Sequence, residues 1–236
     1  MKILITNDDS VTAAQLIPLI RWCQRLGDVT VVVPKHEQSA KSHSIEIRKA
    51  FEIKQMELEP GITVWTVDST PADCVRFAVS WLKIEFDLVI SGINRGYNLG
   101  QDILYSGTMA AASEAVNKGI KALALSTSMK YYGRAVNHLE EIFRYIEEHD
   151  LFAHCDLYNI NIPVDPKGFR LTAMGGPSFQ EAFLPMENGL YMPAGDYIKY
   201  DGSDLSLDVH AVAAGYISVT PMTTNRTDRT VLEKLL

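Results

Sequence analysis

Cysteine is scarce in this chain: three in 236 residues, Cys23, Cys74 and Cys155, odd in number and far apart. They form neither a CxxC pair nor a disulfide framework, so a stapled secreted scaffold is excluded and a reducing cytoplasm is expected. Long apolar runs are also missing. No stretch of about 18 apolar residues occurs, so no membrane span is expected. The chain passes from Met1-Lys2 straight into a strand pattern and then polar residues, which is not the pattern of a signal peptide. Positive charge is in deficit. The net charge of −7 argues against broad binding to a nucleic-acid polymer. A small anion is still admissible, because a cation and a helix terminus can reverse the sign of one site. Several familiar motifs are lacking as well. There is no GxGxxG after the first strand and no GxxxxGKS/T, which disfavours a nicotinamide-type fingerprint and a P-loop. No GxSxG elbow occurs, which disfavours a serine hydrolase. A phosphoaspartate enzyme would show DxDxT/V, whereas here the order is Asp8-Asp9-Ser10-Val11.

What is present is ordinary for a globular protein. Hydrophobic residues make up 47% and charged residues 22%, and the length allows a full core without staples. Apolar runs at 3–5, 29–33, 88–90 and 122–125 are short, nearly continuous and rich in Val, Ile and Leu. That is the signature of parallel strands buried on both faces. Helix-period segments lie between them. Leu16, Leu19, Ile20 and Cys23 share one face, with Thr12 and Gln15 as a capping box and Gly27 as the stop, although Pro18 sits awkwardly inside. A second helix is expected from Pro71 to about Lys83 with Thr70 as its cap. A small-residue helix is expected over 106–118, and an amphipathic one over 134–148. Residues 157–162 read as another strand. Residues 175–203 carry five Gly and three Pro with scattered aromatics, and read as an irregular β-hairpin arm. A short helix over 208–216 and a last strand over 217–220 follow. The sum is a single α/β domain spanning 1–236. It has a Rossmann-like, doubly wound, mostly parallel sheet over about 1–165 and a C-terminal β-hairpin arm and tail over about 166–236.

Three polar clusters follow the strands. Asp8 and Asp9 end the first; adjacent carboxylates repel unless a cation or donors compensate, and hard oxygens suit Mg²⁺, Mn²⁺ or Ca²⁺. The same residues also fit a turn that caps the first helix. Residues 34–44 put Ser, His and Gln at the same sheet edge, or form a solvated loop with His36 and His43 incidental. Residues 91–100 supply three Gly, two Asn and Arg95, and lead to Ser106-Gly107-Thr108 at a helix start. That terminus offers N–H groups, a favourable dipole and hydroxyls to a phosphate, while serine there is equally an N-cap.

In combination and in order, these segments resemble the SurE family of metal-dependent nucleoside monophosphate phosphatases. The motifs that carry the likeness are Ile5-Thr6-Asn7-Asp8-Asp9, residues 34–44, Thr70-Pro71-Ala72-Asp73-Cys74, Ser91-Gly92-Ile93-Asn94-Arg95-Gly96, Asn98-Leu99-Gly100, Leu104-Tyr105-Ser106-Gly107-Thr108 and residues 215–221. The resemblance implies one divalent ion per subunit, Mg or Mn, on Asp8, Asp9, Ser39 and Asn94. It implies phosphate contacts at Asn98, Ser106, Gly107 and Thr108, with Asp8 and Asp9 as the catalytic carboxylates. It further implies hydrolysis of nucleoside 5′- and 3′-monophosphates, extending to short polyphosphate, by a homodimer or homotetramer with exchanged C-terminal elements. A non-catalytic nucleotide-binding module on the same fold is the alternative. Two stretches depart from the family pattern: Ser10-Val11-Thr12-Ala13-Ala14 replaces a glycine and a His-Ala-Pro-Gly-like helix start, and 171–176 replaces a basic run.

Overall fold

The computed structural model describes residues 1–236. Strand β1 (Lys2–Thr6) lies between β2 (Asp28–Pro34) and β5 (Leu88–Arg95), parallel to both. Outward from β2 come β4 (Ile62–Val67) and β3 (Ile53–Glu59); outward from β5 come β6 (Lys121–Thr127) and β7 (Leu157–Ile162), then β11 (Ile217–Pro221) and β8 (Phe169–Leu171). The nine-stranded sheet is mostly parallel, with β3 antiparallel to β4 and β11 antiparallel to β7. A separate antiparallel hairpin, β9 (Phe179–Pro185) with β10 (Tyr191–Tyr197), forms the expected arm. The chain first moves from β1 toward β2 and later returns to the other side of β1. The carboxyl ends of β1 and β5 therefore flank a topological switch point, where open α/β sheets open a crevice.

Alternation along the central strands assigns them to two cores. Ile3, Ile5, Val31, Val33 and Ile90 face helices α1 (Leu16–Cys23) and α4 (Leu139–Glu148). Leu4, Val32, Val89, Ala122 and Ala124 face α2 (Pro71–Ser80) and α3 (Gly107–Asn117). Ala111, Ala112 and Ala115 of α3 are fully buried, so the small side chains bring that helix close to the sheet as expected. Thr70 caps α2 by accepting from Asp73 N–H, also as expected.

Several boundaries differ from the sequence expectation. The Thr12–Gln15 capping box does not form. Ser10 takes a left-handed φ of 73° and its hydroxyl pairs with that of Thr12 at 3.0 Å, so Thr12 belongs to the loop. Helix α1 starts only at Leu16, which puts Pro18 in its first turn, where no N–H is required. The amphipathic segment before His149 divides into a 3-10 turn, Tyr132–His138, and α4; Gly133 and Asn137 are weak helix formers. Helix α2 stops at Ser80, and α5 spans Asp208–Ala213. Strands β3 and β4 and the C-terminal α6 (Arg229–Leu235) were not foreseen. The charged, largely exposed β3 is an edge strand, and charge on an edge blunts its pairing.

Strand β5 carries the irregularity that shapes the site. Its register with β6 slips by one residue between Ser91 and Asn94, a bulge that turns the strand end out of the ladder. Gly92 sits in this bulge at φ 135°, and a Cβ there would meet Leu125 O at 2.3 Å. Only glycine fits both conditions. Gly92→Ala is expected to destabilise the protein by on the order of 3 kcal/mol. An unchanged denaturation midpoint in urea would show that the bulge is not under this constraint.

Candidate active site

Two carboxylates follow β1 where the sheet ends, and each is held differently. Asp8 is 5% exposed. Its Oδ1 accepts from the Thr108 hydroxyl at 2.6 Å, and its carbonyl accepts from Gln38 N–H at 2.8 Å. Asp9 is partly exposed. Its Oδ2 accepts from the Arg95 main-chain N–H at 2.9 Å, with the Tyr132 hydroxyl at 3.4 Å. Neither aspartate has a Lys or Arg side chain as an ion-pair partner. Burial pushes the Asp8 carboxyl up to about 6; the Thr108 hydroxyl opposes the shift and the Asp9 charge adds to it. Burial also raises Asp9; the Arg95 N–H, the Arg95 charge and the Tyr132 hydroxyl oppose the shift, and the Glu37 charge adds to it. The pair is thus negative, crowded and without an ion-paired cation.

Helix α3 meets this pair end-on. Ser106 is its N-cap and accepts from Met109 N–H at 3.1 Å. The N–H groups of the first turn have no carbonyl partner within the helix, and the dipole adds positive potential there. Gly107 allows the approach: a Cβ on it would stand 2.9 Å from Asp8 Cβ and 3.1 Å from Asp8 Oδ2. The start of the helix and the Asp8 carboxylate are therefore in direct contact.

Of the predicted residues, Asp8, Gly107 and Thr108 are brought into direct contact. Asn94 lies on the bulged end of β5, next to the residue whose N–H holds Asp9, and its amide donates to Gly96 O at 2.9 Å. Asn98 is buried beyond the bulge, its amide nitrogen donating to Ser126 Oγ at 2.8 Å. The segment after Asn98 is tied at Gly100, whose N–H donates to the fully buried Asp208, and Asp208 in turn accepts from Gly175 N–H at the root of the arm. Ser39 is exposed, and its hydroxyl donates to Glu37 Oε1 at 2.6 Å rather than to either aspartate. The loop that carries it is nevertheless fastened at Gln38 to the Asp8 carbonyl. Tyr132, the Arg95 N–H and the charge of Glu37 are neighbours of Asp9 that the sequence did not reveal. Arg95 and Glu37 stood inside noted clusters, but Tyr132 is 123 positions from Asp9 and carries no local signal.

Comparison with known proteins places the chain in a family. A sequence profile described as Survival protein SurE matches residues 3–181. This chain belongs to the SurE family. Among its relatives, a protein named 5′-nucleotidase SurE from Thermosipho melanesiensis is 35% identical, the alignment covering 100% of this chain and 96% of that one. One with the same name from Pelotomaculum thermopropionicum is 36% identical, covering 100% and 94%. The crystal structure of the SurE protein from Aquifex aeolicus superposes with a TM-score of 0.82 at 28% identity, covering 100% of this chain and 98% of that one. The doubly wound fold with its hairpin arm is therefore that of the SurE family.

The donor set can be tested for a metal on its chemistry. No group of three or more His, Cys, Asp or Glu side chains is placed to hold an ion anywhere in the chain. What the site offers is two carboxylates without a cationic partner, flanked by neutral amide and hydroxyl oxygens. The Asn7 side-chain oxygen beside them is buried with no hydrogen-bond partner. This hard, oxygen-only set fits Mg²⁺ or Mn²⁺ rather than a softer ion.

The raised Asp8 has a consequence for stability. Its folded-state pKa of about 6 lies above the ordinary 3.8, so the folded protein holds that proton more tightly than the unfolded chain. The contribution is full below about pH 4 and is lost as pH rises through 6, a cost on the order of 2–3 kcal/mol at neutral pH without a cation. Asp8→Asn is expected to raise the unfolding midpoint of chelator-treated protein at pH 7.5, with the gap to wild type closing near pH 4. A gap that stays constant with pH would contradict this assignment.

Proposed function

We propose that this chain is a divalent-metal-dependent phosphomonoesterase that hydrolyses nucleoside 5′- and 3′-monophosphates, and by the same phosphoryl chemistry short polyphosphate. The observation that carries the reading is the junction of Asp8 with the start of α3, where Thr108 bonds the carboxylate and Gly107 lies against it. A terminus that attracts anions and a carboxylate pair that attracts cations lie side by side, and a phosphate with its counter-ion would answer both demands. The names of the curated relatives support a nucleotide as the ester.

Asp8 and Asp9 would hold the ion, with Asn94 beside them and Ser39 recruited once its hydroxyl leaves Glu37. When bound, such an ion supplies positive charge to the phosphoryl oxygens and acidifies water. The chain's own groups do the rest. The Gly107 and Thr108 N–H groups and the Ser106–Thr108 turn receive the phosphoryl oxygens and offset the charge that builds in the transition state. Asn98 contributes an amide hydrogen from beyond the carboxyl end of β5. Asp9, more exposed than Asp8 and held by one main-chain N–H and the Tyr132 hydroxyl, is the better placed of the two to accept a proton from water.

Release of inorganic phosphate from AMP and GMP is expected with added Mn²⁺ or Mg²⁺ and is expected to vanish with a chelator. Asp9→Asn should cut turnover by about a hundredfold or more while the fold persists. Binding of the nucleotide without any release would make the chain a nucleotide-binding module, and undiminished turnover in Asp9→Asn would remove the catalytic assignment.

The same reading includes assembly as a homodimer or homotetramer that exchanges C-terminal elements. Phe183, Leu184, Leu190 and Tyr191 on the arm are 56–65% exposed, and Leu235 on α6 is 79% exposed, which is costly in a monomer. All three cysteines are free, which fits a cytoplasmic setting, and no helix is long and apolar enough to cross a membrane. Sedimentation should give at least a dimer for the full chain, and the double variant Phe183→Glu, Tyr191→Glu should shift toward a smaller species. A wild-type monomer at micromolar concentration would end this part of the reading.

A further inference from the structure

Strand β7 is buried along its whole length, yet two of its six residues, Asn159 and Asn161, are asparagines at 1% and 0% exposure. An apolar residue is the default there, because a buried amide costs free energy unless it is hydrogen-bonded. Being two apart, both side chains leave the same face of the strand. Both reach one residue. Asn161 Nδ2 donates to the Asn98 carbonyl at 2.8 Å, and Asn161 Oδ1 accepts from the Asn98 N–H at 2.9 Å. Asn159 Nδ2 donates to the same carbonyl at 2.9 Å. From β6, Ser126 Oγ accepts from Asn98 Nδ2 at 2.8 Å.

The backbone at Asn98 needs this grip. It lies between the bulged end of β5 and the 3-10 turn Gly100–Tyr105, outside any ladder. Asn161 replaces the missing ladder with a side chain that both gives and takes a hydrogen bond, as a neighbouring strand would. The Asn98 side chain is then fixed too. One amide hydrogen is taken by Ser126, and the other, with the amide oxygen, is left for a ligand. Asn159 has no partner for its own Oδ1 and so serves only as a donor to this residue.

We infer that Asn161, assisted by Asn159 and Ser126, is a positioning residue for the phosphate subsite, acting entirely through Asn98. The inference rests on the phosphatase reading above, in which Asn98 faces the phosphoryl group. A residue that works only through another loses its effect when that other is removed.

The experiment compares wild type, Asn161→Leu, Asn98→Ala and the double variant in the metal-loaded enzyme. It measures kcat/KM on AMP, inhibition by inorganic phosphate, and hydrogen exchange at the Asn98 amide. Asn161→Leu is expected to lower kcat/KM and weaken phosphate inhibition about tenfold, and to speed exchange at Asn98. In the Asn98→Ala background the same substitution is expected to change kcat/KM by less than about twofold. A fall of equal size in both backgrounds, or wild-type-like kinetics in Asn161→Leu, overturns the assignment. Should Asn161→Leu fail to fold, Ser126→Ala takes its place, with a smaller loss that must likewise vanish in Asn98→Ala. If wild type releases no phosphate at all, the phosphatase reading fails. Exchange at Asn98 then decides the grip alone: faster exchange in the variant supports it, and unchanged exchange overturns it.

Discussion

The contact between Asp8 and the first turn of α3 is the constraint on which the other features depend. It joins the end of the first strand to a helix that begins about a hundred residues later. It requires glycine at 107 for clearance and threonine at 108 for the bond. It also requires a helix rich in alanine, so that α3 can sit low on the sheet and bring its N-terminus to the carboxylate. Without it, Asp8 would be a buried charge with little to oppose it, and the helix end would face solvent.

The site is arranged against the stability of the protein. Adjacent carboxylates at a sheet edge repel, and burial raises both. The surrounding donors are two hydroxyls, a main-chain N–H and a helix terminus, which soften the cost without cancelling it. A lysine or arginine ion-paired to the aspartates would neutralise the pair. Leaving it out costs folding free energy and keeps the position polarised, as is common where strongly perturbed groups cluster.

Much of this was legible in the sequence, and the reasons differ by element. The central strands announced themselves because burial on both faces leaves no polar alternation. The hairpin arm was visible through its glycines and prolines. The caps at Thr70 and Ser106 followed from residue type and position. The capping box at Thr12 misled because Ser10 adopts a left-handed backbone and captures the Thr12 hydroxyl, a tertiary choice that overrides a local pattern. β3 was lost because an exposed edge strand with charges resembles a loop in composition. Asp8, Gly107 and Thr108, which the fold brings into contact, were legible because they stand at element ends. Tyr132 was not, since its place beside Asp9 depends on how a 3-10 turn lies against the sheet. The role of Asn159 and Asn161 was hidden for a related reason: within a strand they read as interruptions of an apolar run, and only the fold shows them reaching Asn98.

Strand β11 is made after both β7 and β8, yet it lies between them in the sheet. During synthesis β7 must therefore wait as an unprotected border, its main-chain donors and acceptors facing water until Ile217–Pro221 has left the ribosome. A nascent chain stalled before residue 217 would expose that border to its neighbours, so the speed of finishing translation becomes a term in whether the molecule assembles or clumps.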